Sequence, residues 1–238
     1  MRPVDRGREP SRGSSGTPII YKRYKSYFRY LESRIGSYCS YCECRIETML
    51  AIDHIAPKVL HNGLILDWYN FLLACVNCNS TKNAQPTVGI SYYFPHEVNT
   101  AYAFCYEESL VFANPKLSQS DQIIINATIG LVGLDQGPRI TPTDSDSRGD
   151  RRQEVWDIAQ SRKAALAKCP TDEMRDTIAD LARAEGHFSI WRTVFADDST
   201  ILSRLLTQAN SYGHPLFPGT HPKCFAADGT TIQDLHPI

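Results

Sequence analysis

The sequence predicts an α+β protein, with a small zinc-pinned core of two strands and one helix followed by a largely helical remainder. Three observations carry that reading. Two Cys-x2-Cys hooks, Cys39/Cys42 and Cys75/Cys78, stand in the first third of the chain. Apolar runs too short for helices lead to Asp53-His54 and to the second hook. Apolar residues beyond Pro86 recur instead at helical spacing, punctuated by caps and glycines.

In chain order, residues 1–18 are rich in Arg, Gly, Ser and Pro and read as a flexible basic arm. Apolar side chains at Ile20, Tyr24, Phe28, Leu31 and Ile35 predict a helix over 19–35, with Gly36 as its stop. Residues 48–52 read as a strand that delivers Asp53-His54, with Pro57 opening a loop. Residues 68–73 form a mostly apolar run into the second hook. A short helix is expected from about Asn79 to before Pro86.

Aromatics from Tyr92 to Tyr106 suggest a hairpin that closes at Glu107-Glu108-Ser109. Helices are expected over 120–131 and 151–168, with a polar loop at 144–150 between them. Thr171 is a good N-cap for a helix that carries Met174, Ile178 and Leu181 and stops at Gly186. Two further helical pieces fall at 187–196 and 198–211, and the tail from Gly213 reads as irregular. The expected divisions are the arm, a 19–90 core and a 91–238 helical accessory region suited to docking a partner.

Four thiolates from two hooks fill a tetrahedral zinc site and leave no position for water, which marks a structural ion. Redox dithiols or unrelated buried cysteines are the bland alternative. Cys44 could stand in for one ligand, whereas Cys105, Cys169 and Cys224 read as ordinary thiols. With eight cysteines and no apolar leader, the 238-residue chain is expected in the cytoplasm with its thiols reduced or on metal.

The stretch YCSYCECRIETMLAIDHIAPK with WYNFLLACVNCNSTK resembles the zinc-ribbon branch of the HNH (ββα-metal) endonucleases. That resemblance implies a metal-dependent hydrolase of phosphodiester bonds. His54 would be the general base, since a neutral imidazole is the side chain best suited to activate water near pH 7. Asp53 and Asn79 would offer oxygen donors to a catalytic Mg²⁺ or Mn²⁺, apart from the zinc. Asn70 would hydrogen-bond backbone across the loop and so orient His54. Asn79 stands where many relatives carry His, an HNN variant that keeps an oxygen ligand and favours hard cations. Lys82, with Arg23 and Lys25 on the preceding helix, would contact phosphate; solvated surface lysines and arginines are the plain alternative.

Net charge is −1, yet residues 1–36 carry nine Lys or Arg against three Asp or Glu. The remainder is therefore acidic, at −7, which disfavours a protein that coats DNA unaided. MRPVDRG, ATIGLVGLD with SDSRGDRRQEVWDIA, and HFSIWRTVFADD are similar to bacterial HNH proteins of the Septu type. Those are nuclease subunits of anti-phage systems that work beside an ABC-type ATPase, so the resemblance implies DNA as substrate and an ATPase on the helical half. Two other readings stay open. One is a non-catalytic zinc module that binds nucleic acid or protein, which would leave Asp53, His54 and Asn79 without purpose. The other is an RNA-cleaving HNH toxin.

Overall fold

The computed structural model describes residues 1–12, 16–89, 91–141, 143–209 and 213–238. It opens with a two-residue ribbon, β1 (Ser11–Arg12) paired with β2 (Thr17–Pro18). A 3-10 turn at Tyr24–Tyr27 leads into α1 (Phe28–Ile35), which Gly36 ends at φ 77°. The helix expected from residue 19 therefore starts late. The Tyr27 hydroxyl donates to the Ile19 carbonyl and accepts from Tyr21 N–H, so a side chain takes groups that a helix would have used.

β3 (Ala51–His54) and β4 (Phe71–Ala74) form an antiparallel pair with His54 opposite Phe71 and Asp53 opposite Leu72. Pairing begins at Ala51 rather than at residue 48. Met49 takes a left-handed conformation (φ 65°), which extended backbone cannot contain. Helix α2 (Val76–Lys82) follows β4 directly, three residues ahead of its expected start. The Cys75 sulfur caps it by accepting the Cys78 N–H at 3.3 Å, a cap signal that a cysteine disguises.

Beyond the core, α3 (Thr100–Ala103) enters the hairpin β5 (Phe104–Glu107) and β6 (Leu110–Ala113), which turns at Glu108 and Ser109 as expected. Helices α4 (Gln119–Val132), α5 (Arg148–Lys168), α6 (Asp172–Glu185), α7 (Phe188–Val194) and α8 (Ser199–Thr207) complete the mixed α+β fold. Thr171 caps α6 by accepting the Met174 N–H. The polar loop before α5 is shorter than expected, because Arg148–Asp150 are already helical. No helix among the described residues is long and apolar enough to cross a membrane.

The opening residues depart from a flexible arm. Met1, Arg2, Val4 and Arg6 are buried. Arg2 donates to the Ile35 carbonyl at 2.8 Å and Arg6 to the Phe71 carbonyl at 3.0 Å. These guanidiniums satisfy carbonyls where α1 ends and β4 begins, which are groups that otherwise lack partners. Their basicity is spent inside the fold. One continuous apolar core joins α1 (Leu31, Ile35), β4 (Phe71, Leu73) and α7 (Phe188, Trp191).

Candidate active site and metal centre

The two hooks converge. The sulfurs of Cys39, Cys42, Cys75 and Cys78 lie within 4.8 Å of one another, and all four residues are buried. A tetrahedral ion with Zn–S bonds of about 2.3 Å needs sulfurs about 3.8 Å apart, and Cys42 and Cys75 stand at 3.7 Å. Burial pushes the Cys39 and Cys78 thiols up, while hydrogen bonds from Cys39, Cys42 and Cys78 drive the Cys75 thiol far below its usual range. Four buried sulfurs sharing negative charge in this way are a donor set that a thiophilic dication completes. Zinc fits these residues, and Cys44 lies outside the group.

Residues 39–44 form the first hook by turning back on themselves, with Cys39 N–H on the Cys44 carbonyl and Glu43 N–H on the Cys39 carbonyl. Glu43 sits at φ 64°, a conformation where glycine is the usual choice. Its side chain compensates by accepting from Ser189 N–H (2.7 Å) and the Ser189 hydroxyl (2.6 Å). The second hook is braced by Arg148 at the start of α5. This guanidinium donates to the Cys78 sulfur at 3.0 Å and to the Val132 carbonyl at 2.7 Å, and Asp146 holds it in turn. Neither brace was visible in the sequence, since both reach the hooks across 70 residues or more.

β3 carries Asp53 and His54 to the floor of a cavity of about 820 Å³. Asn79 of α2 lines the same cavity, with Tyr24, Lys25 and Arg29 from the α1 side and Lys58 from the loop after β3. The His54 ring is wedged between Tyr24 (centroids 4.7 Å) and Phe71 (5.2 Å), both edge-on, and is only 7% exposed. Its Nε2 lies 3.1 Å from the Ile65 carbonyl. A carbonyl only accepts, so Nε2 carries the proton and Nδ1 is left as the basic nitrogen. Burial lowers the His54 pKa below its ordinary value of 6.5, which keeps the imidazole neutral.

Asn70, 5% exposed, spans the loop with its side-chain amide. Its Oδ1 accepts the Ala56 N–H at 2.7 Å, and its Nδ2 donates to the Ala56 and Leu64 carbonyls at 3.0 and 3.2 Å. It thereby fixes the segment that presents the Ile65 carbonyl to His54.

The expected phosphate contacts divide. Lys25 is exposed and lines the cavity, and Arg23 is exposed but lies outside the lining. Lys82 is a correction. It is fully buried, with its ammonium donating to Asp53 Oδ1 (3.1 Å) and the His54 carbonyl (2.7 Å), so it faces the protein rather than a phosphate. Arg29 and Lys58 take the wall positions instead. Their sequence signal is weak, since Arg29 is one of several basic residues before Gly36 and Lys58 follows a proline.

A two-stranded pair, a following helix and a four-cysteine cluster, with Asp-His lining a cavity beside them, are the arrangement of a ββα-metal domain. In agreement, the profile of the HNH endonuclease family matches residues 39–85, and this segment is an HNH domain. Over 50 residues the chain is also 36% identical to the Septu protein PtuB of Bacillus thuringiensis. That match spans 20% of this chain and 20% of the relative's length.

Proposed function

We propose that the protein is a metal-dependent HNH endonuclease that cleaves DNA in anti-phage defence, with an ATPase partner docked on its helical half. The observation that carries the enzymatic reading is a neutral, oriented His54 opening onto the same cavity as Asp53, Asn79 and three exposed cations. Lys25, Arg29 and Lys58 would hold phosphate oxygens on the walls. His54 Nδ1 would take a proton from the attacking water, while its Nε2–H stays on the Ile65 carbonyl and keeps the ring in place. Asn70 would maintain that carbonyl's position.

The hard oxygen donors of Asp53 and Asn79 suit Mg²⁺ or Mn²⁺, and each Asp53 oxygen keeps a lone pair beyond its present hydrogen bond. Such a cation supplies stabilisation of charge on the leaving 3′ oxygen. The products would be 5′-phosphate and 3′-hydroxyl ends. Zinc at the four cysteines would serve folding alone.

The defence role rests on the partial likeness to the Septu protein, and the cytoplasm is where such work would be done. The acidic balance of residues 37–238 supports a partner that supplies nucleic-acid affinity.

Plasmid DNA incubated with the protein and Mg²⁺ or Mn²⁺ tests the reading, with an RNA of similar length in parallel. Wild type should nick the plasmid, and His54→Ala should be slower by about 10²–10⁴-fold. Equal nicking by both would remove His54 from the chemistry. Cleavage of RNA alone would move the substrate to the toxin reading.

A further inference from the structure

Lys82 has no role in the reading above, yet it is fully buried and bonded to the backbone of His54. It sits in the last turn of α2, one turn beyond Asn79, on the helix that Cys75 caps and that bears Cys78. From there it reaches β3, where one ammonium bonds both the Asp53 carboxylate and the His54 carbonyl. The other Asp53 oxygen accepts from the Tyr41 hydroxyl at 2.5 Å. Tyr41 itself lies between the two cysteines of the first hook and is fully buried. Both oxygens of one carboxylate are thus fixed from opposite sides, by groups anchored in the two halves of the zinc site.

We propose that Lys82 and Tyr41 form a buried clamp that positions Asp53 and His54 for cleavage. Tyr41 and Lys82 are the two groups among the described residues that hydrogen-bond the Asp53 carboxylate, one on each oxygen, and so set its rotation. A clamp differs from a phosphate contact in what it changes. A phosphate contact strengthens binding and adds about one to the salt slope of nucleic-acid affinity. A clamp acts on the turnover step and leaves binding alone.

The inference rests on the nuclease reading, and the test separates the two. Lys82→Met, Lys82→Arg and Tyr41→Phe are compared with wild type in metal-dependent plasmid cleavage, in zinc content, and in the salt dependence of DNA binding measured in EDTA. Lys82→Met should lower kcat 10- to 100-fold with KM within about twofold, one zinc per chain and an unchanged salt slope. Lys82→Arg should recover part of kcat, and Tyr41→Phe should lose less than Lys82→Met. Unchanged kcat in Lys82→Met overturns the clamp, as does a raised KM with a salt slope reduced by about one. If Lys82→Met loses zinc or its cooperative thermal transition, Tyr41→Phe decides. A lower kcat at constant KM then supports the clamp, and wild-type kcat overturns it. No metal-dependent cleavage by wild type removes the nuclease reading and the clamp together. Cleavage by wild type with indifference to both substitutions removes the clamp alone.

Discussion

His54 is held by three kinds of contact, and each fixes a different property. The edges and faces of Tyr24 and Phe71 fix the plane of its ring, the Ile65 carbonyl fixes its tautomer, and burial fixes its charge. The last has a measurable sign. Burial disfavours the imidazolium, so the folded pKa lies below 6.5 and the base is available above that value. As pH falls through the lowered pKa, His54 protonates, and the water-activating role proposed for it would end. The acid limb of kcat/KM for plasmid nicking should therefore have its midpoint below pH 6.5, with activity retained at neutral pH. A midpoint above 6.5 would place the essential base elsewhere or show that the ring is solvated. Asp53 shows the other side of residue-scale reasoning. Its pairing with His54 in sequence was plain, but its two buried partners come from Tyr41 and Lys82, at separations of 12 and 29 residues.

At the scale of elements, the helix that bears Cys78 is short, and its stability comes from what touches it. α2 has seven residues, too few to hold together alone in water. Its first turn is tied to the Cys75 sulfur, and its thiol at Cys78 accepts from Arg148 of α5. Partners of this kind around a metal typically change affinity by about 10- to 100-fold when removed. Arg148→Gln should thus release zinc about that much faster to a competing chelator, read with a colorimetric zinc indicator, while far-UV circular dichroism stays that of wild type. Release at the wild-type rate would make the Arg148–Cys78 contact incidental.

The same elements show what the sequence could and could not reveal. The hooks, the β5–β6 turn, the Thr171 cap and the Gly36 and Gly186 stops were legible, because each is a local pattern with a local cause. The late start of α1, the shortened β3 and the buried Lys82 were not. A tyrosine hydroxyl, a left-handed Met49 and a carboxylate across the fold decided them, and none of these has a signature within a helical or strand window.

At the scale of the whole molecule, the expected division into a 19–90 core and a helical accessory region meets contacts that cross it at the most consequential places. Arg148 touches a zinc ligand, and Ser189 satisfies the carboxylate of Glu43 in the first hook. His187 N–H donates to the Glu43 carbonyl at 2.9 Å, and Tyr38 of the core donates its hydroxyl to the Arg183 and Leu216 carbonyls. The opening residues complete the enclosure, with Met1 amine 3.5 Å from Glu43 and Arg2 bonded to both Ile35 and Pro218. A fragment ending at residue 90 would leave the Glu43 carboxylate without its two Ser189 bonds and would take Phe188 and Trp191 out of the shared core. Losing two hydrogen bonds to a charged group costs about 1.5–3 kcal/mol each, a large part of what a small domain has to spare. Residues 1–90, expressed with zinc, should therefore lack a cooperative thermal transition and give up the metal to a chelator that leaves the full chain loaded. If the fragment melts cooperatively and retains zinc, the helical half is separable from the four-cysteine fold rather than part of it. The expected outcome carries a mechanical consequence for the proposed partner. An ATPase that gripped α5 or α7 would be pulling on the residues that brace the two hooks, so its nucleotide state could reach His54 through the zinc site without touching DNA.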